Sequence, residues 1–384
     1  MSSAPASIRT TDPARGMLAR PRVGQPAPWP RARGISLIEL MIGMTIGLIA
    51  LLVMMQTFSA SNAHKSNTVS GADATTAGHI AMTLIERELL NAGAGLTATP
   101  CEEIRVLGSG GVNTISNLPV TIEQDTDADT PTALRSRSDR ITIRYSGSSF
   151  GSASTPVGME MPNPSVNTRG KLDIGFRNGD FIMLQEEGKP CVILQLTDDP
   201  KVLGNGTWQF KHQSSGSTYN PTGKEKNFLP DSKYSENLAR IVHMGSGILE
   251  SRFDLNYRSS SGSAPNSDLQ LTPIRLATAG TTNAIARNVV ALRAQYGWWD
   301  STTKTVSFSS TVKAGAGPTD LAAVRVGIVV RASQRDPSYT APTDIKLFEY
   351  DNPITISLSG DELRYRYRSY ETVVPLRNTL WNRN

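Results

Sequence analysis

From Ile35 to Phe58 the chain runs 24 residues with a single charge, Glu39. About 20 apolar residues in a helix cross the hydrocarbon core of a bilayer. A segment of this length therefore either anchors the chain in a membrane or is cut away. A carboxylate inside it costs about 2.5–3.5 kcal/mol at mid-bilayer, so Glu39 calls for a specific task. Upstream, residues 1–34 hold six arginines and one aspartate, which accounts for the whole formal net charge of +5. The remainder is balanced, so the basicity reports membrane orientation and gives no reason to expect a nucleic-acid partner. By the positive-inside rule the arginine-rich segment stays cytoplasmic and everything after Phe58 lies across the membrane. The rival reading is an ordinary signal peptide cut near Ser61-Asn62-Ala63. Against it, the run exceeds the usual 7–15-residue apolar region and contains Glu39.

No proline interrupts the chain between Pro30 and Pro100. One helix is predicted from about Ile35 to Asn91, roughly 85 Å at 1.5 Å per residue. Asn62 to Thr76 is polar. Then Ala77, Ile80, Ala81, Leu84, Ile85 and Leu89 recur at helical spacing, an apolar stripe in need of a sheet to cover. Gly93 and Gly95 stop it. After Pro100 the pattern turns to strands. Ile141, Ile143 and Tyr145 alternate with polar residues, as do Phe253, Leu255 and Tyr257, then Val324, Val326, Ile328 and Val330, each read as half-buried. Phe181–Leu184 and Cys191–Leu196 flank a Glu186–Pro190 turn and read as a hairpin. Leu363, Tyr365 and Tyr367 alternate with Arg364, Arg366 and Arg368, a strand with a basic outer row. Stretches 108–119, 146–170, 211–235, 258–273 and 308–318 have loop composition. The division is a basic leader at 1–34, a transmembrane half-helix at 35–58, an amphipathic half at 59–95 and a β-rich head at 96–384. The fold class is α+β, one long N-terminal helix on an antiparallel sheet with long insertions.

Gly34-Ile35-Ser36-Leu37-Ile38-Glu39, at the polar–apolar boundary, resembles the class III signal of type IV pilins. Ser138–Tyr145, Gly179-Asp180-Phe181 with Cys191, Asn288–Gly297 and Tyr370–Asn378 resemble the PilW-type minor pilins. The resemblance implies cleavage after Gly34 by prepilin peptidase and methylation of the new N-terminus at Ile35. It implies that Glu39, at the fifth mature position, pairs with a neighbouring subunit's terminal amine and sets axial register. The mid-helix proline of major subunits has no match; Gln56 stands there. The expected partners are other minor pilins, the major pilin, a tip adhesin, the prepilin peptidase and the inner-membrane assembly platform. The expected location is the inner membrane in single-pass form, with the head periplasmic, and afterwards the pilus tip, in support of assembly and twitching. A J-type pseudopilin of type II secretion shares the N-terminus and is the closest rival.

Other residues carry less. Gly43 and Gly47 form G-x-x-x-G, a helix-packing spacing common in membrane helices. Cys101 and Cys191 lie in the exported part, where an oxidising compartment permits a disulfide between them; two unpaired buried thiols are the alternative. Gly147-Ser148-Ser149-Phe150-Gly151 matches G-x-S-x-G and is the sole support for a membrane-tethered hydrolase. Ser152–Pro156, directly after it, reads as loop, where a nucleophile elbow needs a helix. His64, His79, His212 and His243 are scattered, with no partner at metal-ligand spacing. Asp125, Asp127 and Asp129 open like a calcium loop, but Thr130 and Ser136 stand where that loop requires Gly and Glu. They read as a solvated acidic loop. No cofactor, and no catalysis, is expected.

Overall fold

The computed structural model describes residues 34–96, 101, 103–108, 111–124, 134, 137–151, 153–161, 167–221, 228, 233–258 and 266–380. Helix α1 spans Leu37–Asn91, 55 residues. The chain divides into two compact units, one up to Ser61 and one from Asn62 onward. In the first unit every described residue from Gly34 to Ser61 is exposed, including the whole apolar run. An apolar helix with no protein around it is what a lipid-facing segment requires.

In the second unit α1 packs on sheets. Ala74, Ala81, Met82, Ile85, Leu89 and Ala92 are buried in one core with Ile141, Phe253, Leu292, Val324, Val326 and Ile328. Ile85 and Leu89 are fully buried, each contributing about 1.5–3 kcal/mol. Ala77, Ala81, Ile85 and Leu89 of the predicted stripe lie on this seam, and the departure is at its edge. Ile80 is 46% exposed and Met82 is buried instead. The reason is a close approach at Gly78, which belongs to the seam although it has no side chain for a periodicity count to register. A Cβ there would stand 2.2 Å from the Tyr370 ring.

Two antiparallel sheets supply the surface under α1. One has four strands in the order Thr305–Ser309, Val289–Asp300, Leu321–Arg331, Tyr367–Pro375. The other is built around Asp139–Ser146, paired with Ile248–Arg258 and Val120–Gln124. A third sheet, of nine strands among the described residues, has a core of its own. It contains the expected hairpin, Phe181–Gln185 against Cys191–Gln195. Its pairing departs from the antiparallel rule once, where Ile104–Gly108 runs parallel to Cys191–Gln195.

Several expectations are corrected. Strand Leu321–Arg331 is buried at every residue, not half-buried. Val324, Val326 and Ile328 face the helix core, while Val329 packs with Leu347, Phe348 and Ile356 of the hairpin Asp344–Leu347/Ile354–Ser357. Its polar Arg325 is sandwiched between Phe308 and Phe348 at 4.3 and 4.5 Å, an arrangement open to a flat, delocalised cation. Thr142 and Arg144 of the strand at Ile141–Tyr145 are likewise buried, Arg144 against Glu250 at 2.7 Å. The stretches given as loops hold the strands Gly111–Ile115, Ser154–Met159, Asn167–Gly170 and Asn266–Arg275. The basic outer row at 363–368 is not one strand. Gly360–Arg364 is a 3₁₀ turn, and the strand begins at Tyr367.

Candidate functional site

The N-terminal site is built by the start of α1. Gly34, Ile35 and Ser36 precede the helix, and the first helical hydrogen bond runs from the Leu40 amide to the Ser36 carbonyl at 3.1 Å. Ser36 thus stands at the cap, where short hydroxyl residues are favoured. Glu39 falls in the first turn, where free amide groups and the helix dipole favour a negative charge. Glu39, Gly43 and Gly47 are spaced by four, so they line one side of the helix. A Cβ at Gly43 or Gly47 would meet nothing within 4 Å, which leaves an acid at the head of an open, shallow track.

At the other end, α1 is sewn into the second unit. The Glu88 carboxylate accepts from Ser251 Oγ at 2.6 Å and from the Tyr145 hydroxyl at 3.2 Å. Tyr370 lies over Gly78, edge-on to His79 at 5.3 Å between ring centres, with its hydroxyl 3.4 Å from the Thr75 carbonyl. The last turn has free carbonyls. Asn378 Nδ2 donates to the Leu90 and Ala92 carbonyls at 3.3 and 3.0 Å. Gly93 and Gly95 take positive φ, 75° and 72°, and so stop the helix where expected. The Gly93 amide donates to the Arg144 carbonyl, and the Ser146 amide to the Ala94 carbonyl, at 2.8 and 2.7 Å.

Cys101 and Cys191 form a disulfide with Cα atoms 5.7 Å apart. This settles the two open alternatives for the cysteines in favour of the bond. It ties the segment just past α1 to the first residue of strand Cys191–Gln195.

The G-x-S-x-G string forms no elbow: strand Asp139–Ser146 passes through a turn into strand Ser154–Met159, with no helix after the serines. The adjacent Ser148, not Ser149, meets a histidine. Ser148 Oγ lies 2.7 Å from His243 Nδ1, and His243 Nε2 lies 3.1 Å from Asp180 Oδ2. The serine oxygen also accepts the Phe150 amide at 3.1 Å, and Asp180 accepts the Arg177 amide at 2.9 Å. His243 is buried between Phe150 and Phe176, each 5.1 Å away. Ser148 and Asp180 thus each tie down a turn, and His243, in strand Arg240–Gly245, joins the two.

His212 is 1% exposed, with Nε2 on the Thr168 hydroxyl at 2.9 Å; burial pulls its pKa down to about 4. Asp139 goes the other way. Burial pushes its carboxyl up to about 6, against the pull of Arg293 at 3.2 Å and of the Ala294 amide. Among the described residues no three of His, Cys, Asp and Glu gather as a metal site. Asp125, Asp127 and Asp129 lie outside the described residues. His64 and His79 stand on α1, far in sequence from His212 and His243.

Sequence reasoning missed the groove lined by His64, Asn67, Asp336, Tyr339, Arg366 and Arg368. Its one signal was the run of arginines at 364–368, spread over the solvent face of a strand that is not there.

A family model described as Type IV Pilus-assembly protein W matches residues 258–378. A second, the Prokaryotic N-terminal methylation motif, matches residues 29–55. No curated protein and no solved structure matches the chain. The first match covers the whole four-stranded sheet that receives α1, and the second covers the Gly34-Ile35 junction and most of the apolar run. With a methylation-motif start, one long apolar helix and a C-terminal sheet matched by this family, the chain is similar to the PilW-type minor pilins over those two segments.

Proposed function

We propose that this chain is held in the inner membrane as a pilin precursor with its head periplasmic, is cut after Gly34 and methylated on Ile35 by prepilin peptidase, and then joins the pilus at or near its tip. There it contacts other minor pilins, the major pilin and a tip adhesin, having passed through the assembly platform. The observation that carries this reading is the start of α1. Gly34 and Ile35 lie exposed ahead of the helix, and Glu39 heads the same helix face as Gly43 and Gly47. After cleavage the free amine sits four residues before Glu39 in its own chain and offers a cation to the Glu39 of a neighbour. In lipid an unpaired carboxylate is expensive, and removing one partner of a buried pair costs about 3–5 kcal/mol. That penalty makes the pairing a register device: a subunit that has risen too far or too little leaves its acid unpaired. The open Gly43–Gly47 face lets the two helices approach closely enough for the pair to form.

N-terminal analysis of the mature protein tests the cut: the expected start is methylated Ile35, and a start at His64 would sink the reading. Glu39→Ala is expected to leave cleavage intact while lowering incorporation into sheared pili at least ten-fold. Normal incorporation of that variant would remove the register role. Deletion of the chain should abolish piliation and twitching; loss of protein secretion with pili intact would assign it to a secretion pseudopilus instead.

A further inference from the structure

A groove of about 810 Å³ lies within the second unit, between the polar middle of α1 and the C-terminal strands. Two contacts set its level. Asn67 Nδ2 donates to Asp336 at 3.1 Å, and the Tyr370 hydroxyl lies 3.4 Å from the Thr75 carbonyl. Arg366 and Arg368 therefore stand level with the turns from Asn67 to Thr75. On that stretch the hydroxyls of Thr68 and Thr75 turn back onto the helix, donating to the His64 and Gly71 carbonyls at 2.9 Å each. A Cβ at Gly71 would meet nothing within 4 Å. The helix side of the groove is thus open space, and Asp73, on the same stretch, lies outside the lining.

The opposite side carries a charge that the fold does not answer. Arg335 pairs with Asp361 at 3.1 Å. Arg364 reaches the Pro337 and Tyr339 carbonyls at 3.4 Å and the Thr340 hydroxyl at 3.2 Å. Arg366 donates to Asp336 at 3.0 Å and stacks on Tyr339 at 4.4 Å. Asp336 is the one carboxylate among the described lining residues, and it is already taken by Asn67, by the Ser338 hydroxyl at 2.6 Å and by Arg366. Arg368 is left exposed, with no partner among the described residues.

Charge and size select the occupant. A guanidinium presents a planar fork of donors that matches a carboxylate bidentately. Arg366, two residues before Arg368, already neutralises the groove's own carboxylate, so the missing acceptor has to come from outside the chain. Sites of about 300–1,000 Å³ take whole organic ligands, so a groove of about 810 Å³ has room for several side chains beside the charged one. We propose that the groove receives an acidic segment of a partner protein, with an aspartate or glutamate carboxylate on Arg368. The choice of a protein as the source of the carboxylate rests on the reading of this chain as a fibre subunit. The groove then gives that subunit a docking point on its second unit, separate from the pairing at Glu39, and one that reads charge.

Fluorescence anisotropy on the full chain in a non-ionic detergent tests this, with labelled hexaglutamate as the probe and hexaglutamine and inorganic phosphate as comparators. Hexaglutamate is expected to bind and hexaglutamine not to. Arg368→Gln should weaken hexaglutamate binding about ten-fold, the effect of one hydrogen-bonded charge pair. Gly71→Leu, which fills the open space and leaves the arginine in place, should weaken it as well. Arg287→Gln, at an exposed arginine outside the groove, should leave it unchanged. Equal binding by wild type and Arg368→Gln, an equal loss in Arg287→Gln, or equal binding of hexaglutamine overturns the proposal. Unchanged binding by Gly71→Leu moves the contact out of the groove and overturns it too. Inorganic phosphate that binds as tightly as hexaglutamate would assign the site to a free oxyanion and overturn the peptide. The fibre reading is checked separately, by the presence of the chain in sheared pili. A chain absent from pili refutes that reading whatever the groove binds, while a chain found in pili that does not bind hexaglutamate refutes only the groove.

Discussion

Removing the Cys101–Cys191 bond should destabilise the second unit markedly while leaving the helix seam untouched. The cysteines are 90 residues apart. In the loop-closure account, releasing a loop of that size returns about 4.5 kcal/mol of chain entropy to the unfolded state at 25 °C. The second unit has about 320 residues, and unfolding entropy runs at about 2.1 cal/mol/K per residue. The unit's unfolding entropy is then about 0.7 kcal/mol/K, and the midpoint should fall by about 6–7 °C. Alanine is the replacement to use at both sites, because Cys101 and Cys191 are 5% and 0% exposed. Serine would bury hydroxyls with no assured partner. Calorimetry of the full chain in detergent, wild type against Cys101→Ala/Cys191→Ala, reads the shift. Reductant should lower the wild type by the same amount and leave the variant unmoved. A variant melting within about 1 °C of wild type would refute the reasoning, and would mean that the parallel pairing of Ile104–Gly108 with Cys191–Gln195 holds this region without the bond.

At Gly78, alanine should cost about 1–3 kcal/mol, because the Tyr370 ring has to swing out of its place over the helix. Gly71→Ala, at a helix site with nothing within 4 Å, should instead stabilise by about 0.5–1 kcal/mol; thermal melts of the pair check both signs. His212 is held neutral in the fold, with its pKa depressed to about 4. Its contribution is present above pH 6.5 and is lost as the pH falls through 4, about 3 kcal/mol in all. In denaturant titrations at about pH 7 and pH 4, His212→Gln should lose less stability on acidification than wild type. Equal losses would refute it.

The features legible in sequence were those whose signal is local. The Gly34-Ile35 junction, Glu39 and the unbroken helix to Asn91 follow from an apolar run, a small residue and the absence of proline. The hairpin at Glu186–Pro190 follows from two apolar strands around a turn sequence. The features that escaped depend on a second layer. Ile80 belongs to the apolar stripe by count, yet it faces solvent, because Gly78 lets Tyr370 come down onto the helix and sets its rotation. Asn266–Arg275 reads as loop through its asparagine, aspartate and proline, yet it pairs with Ile248–Arg258 over ten residues. Arg325 and Arg144 look solvent-facing in alternating strands. They are buried because a hairpin and a neighbouring strand bring them aromatic rings and a glutamate, which no spacing in the strand itself encodes. The groove escaped for the same reason: its donors come from α1 and from the chain's last hundred residues.

The two family matches divide the second unit in a way the packing explains. Residues 258–378 form the four-stranded sheet, the strand Asn266–Arg275 and the hairpin behind them. Most of the surface that receives Ala81, Ile85 and Leu89 comes from this segment, through Leu292, Val324, Val326, Ile328 and Val374. A helix seam with a glycine contact at its centre tolerates few changes in the sheet opposite, since a one-residue slip would turn every side chain to the wrong face. The nine-stranded sheet lies almost wholly outside both matches, in residues 104–245, and has its own core of Val157, Ile182, Leu184, Phe210 and Ile241. It meets no such seam. Its covalent link to the segment just past the helix is the Cys101–Cys191 bond, whereas the backbone hydrogen bonds at Gly93 and Ser146 join the helix end to the sheet around Asp139–Ser146. On the pilin reading, the segment shared with the family is the one that fixes the helix.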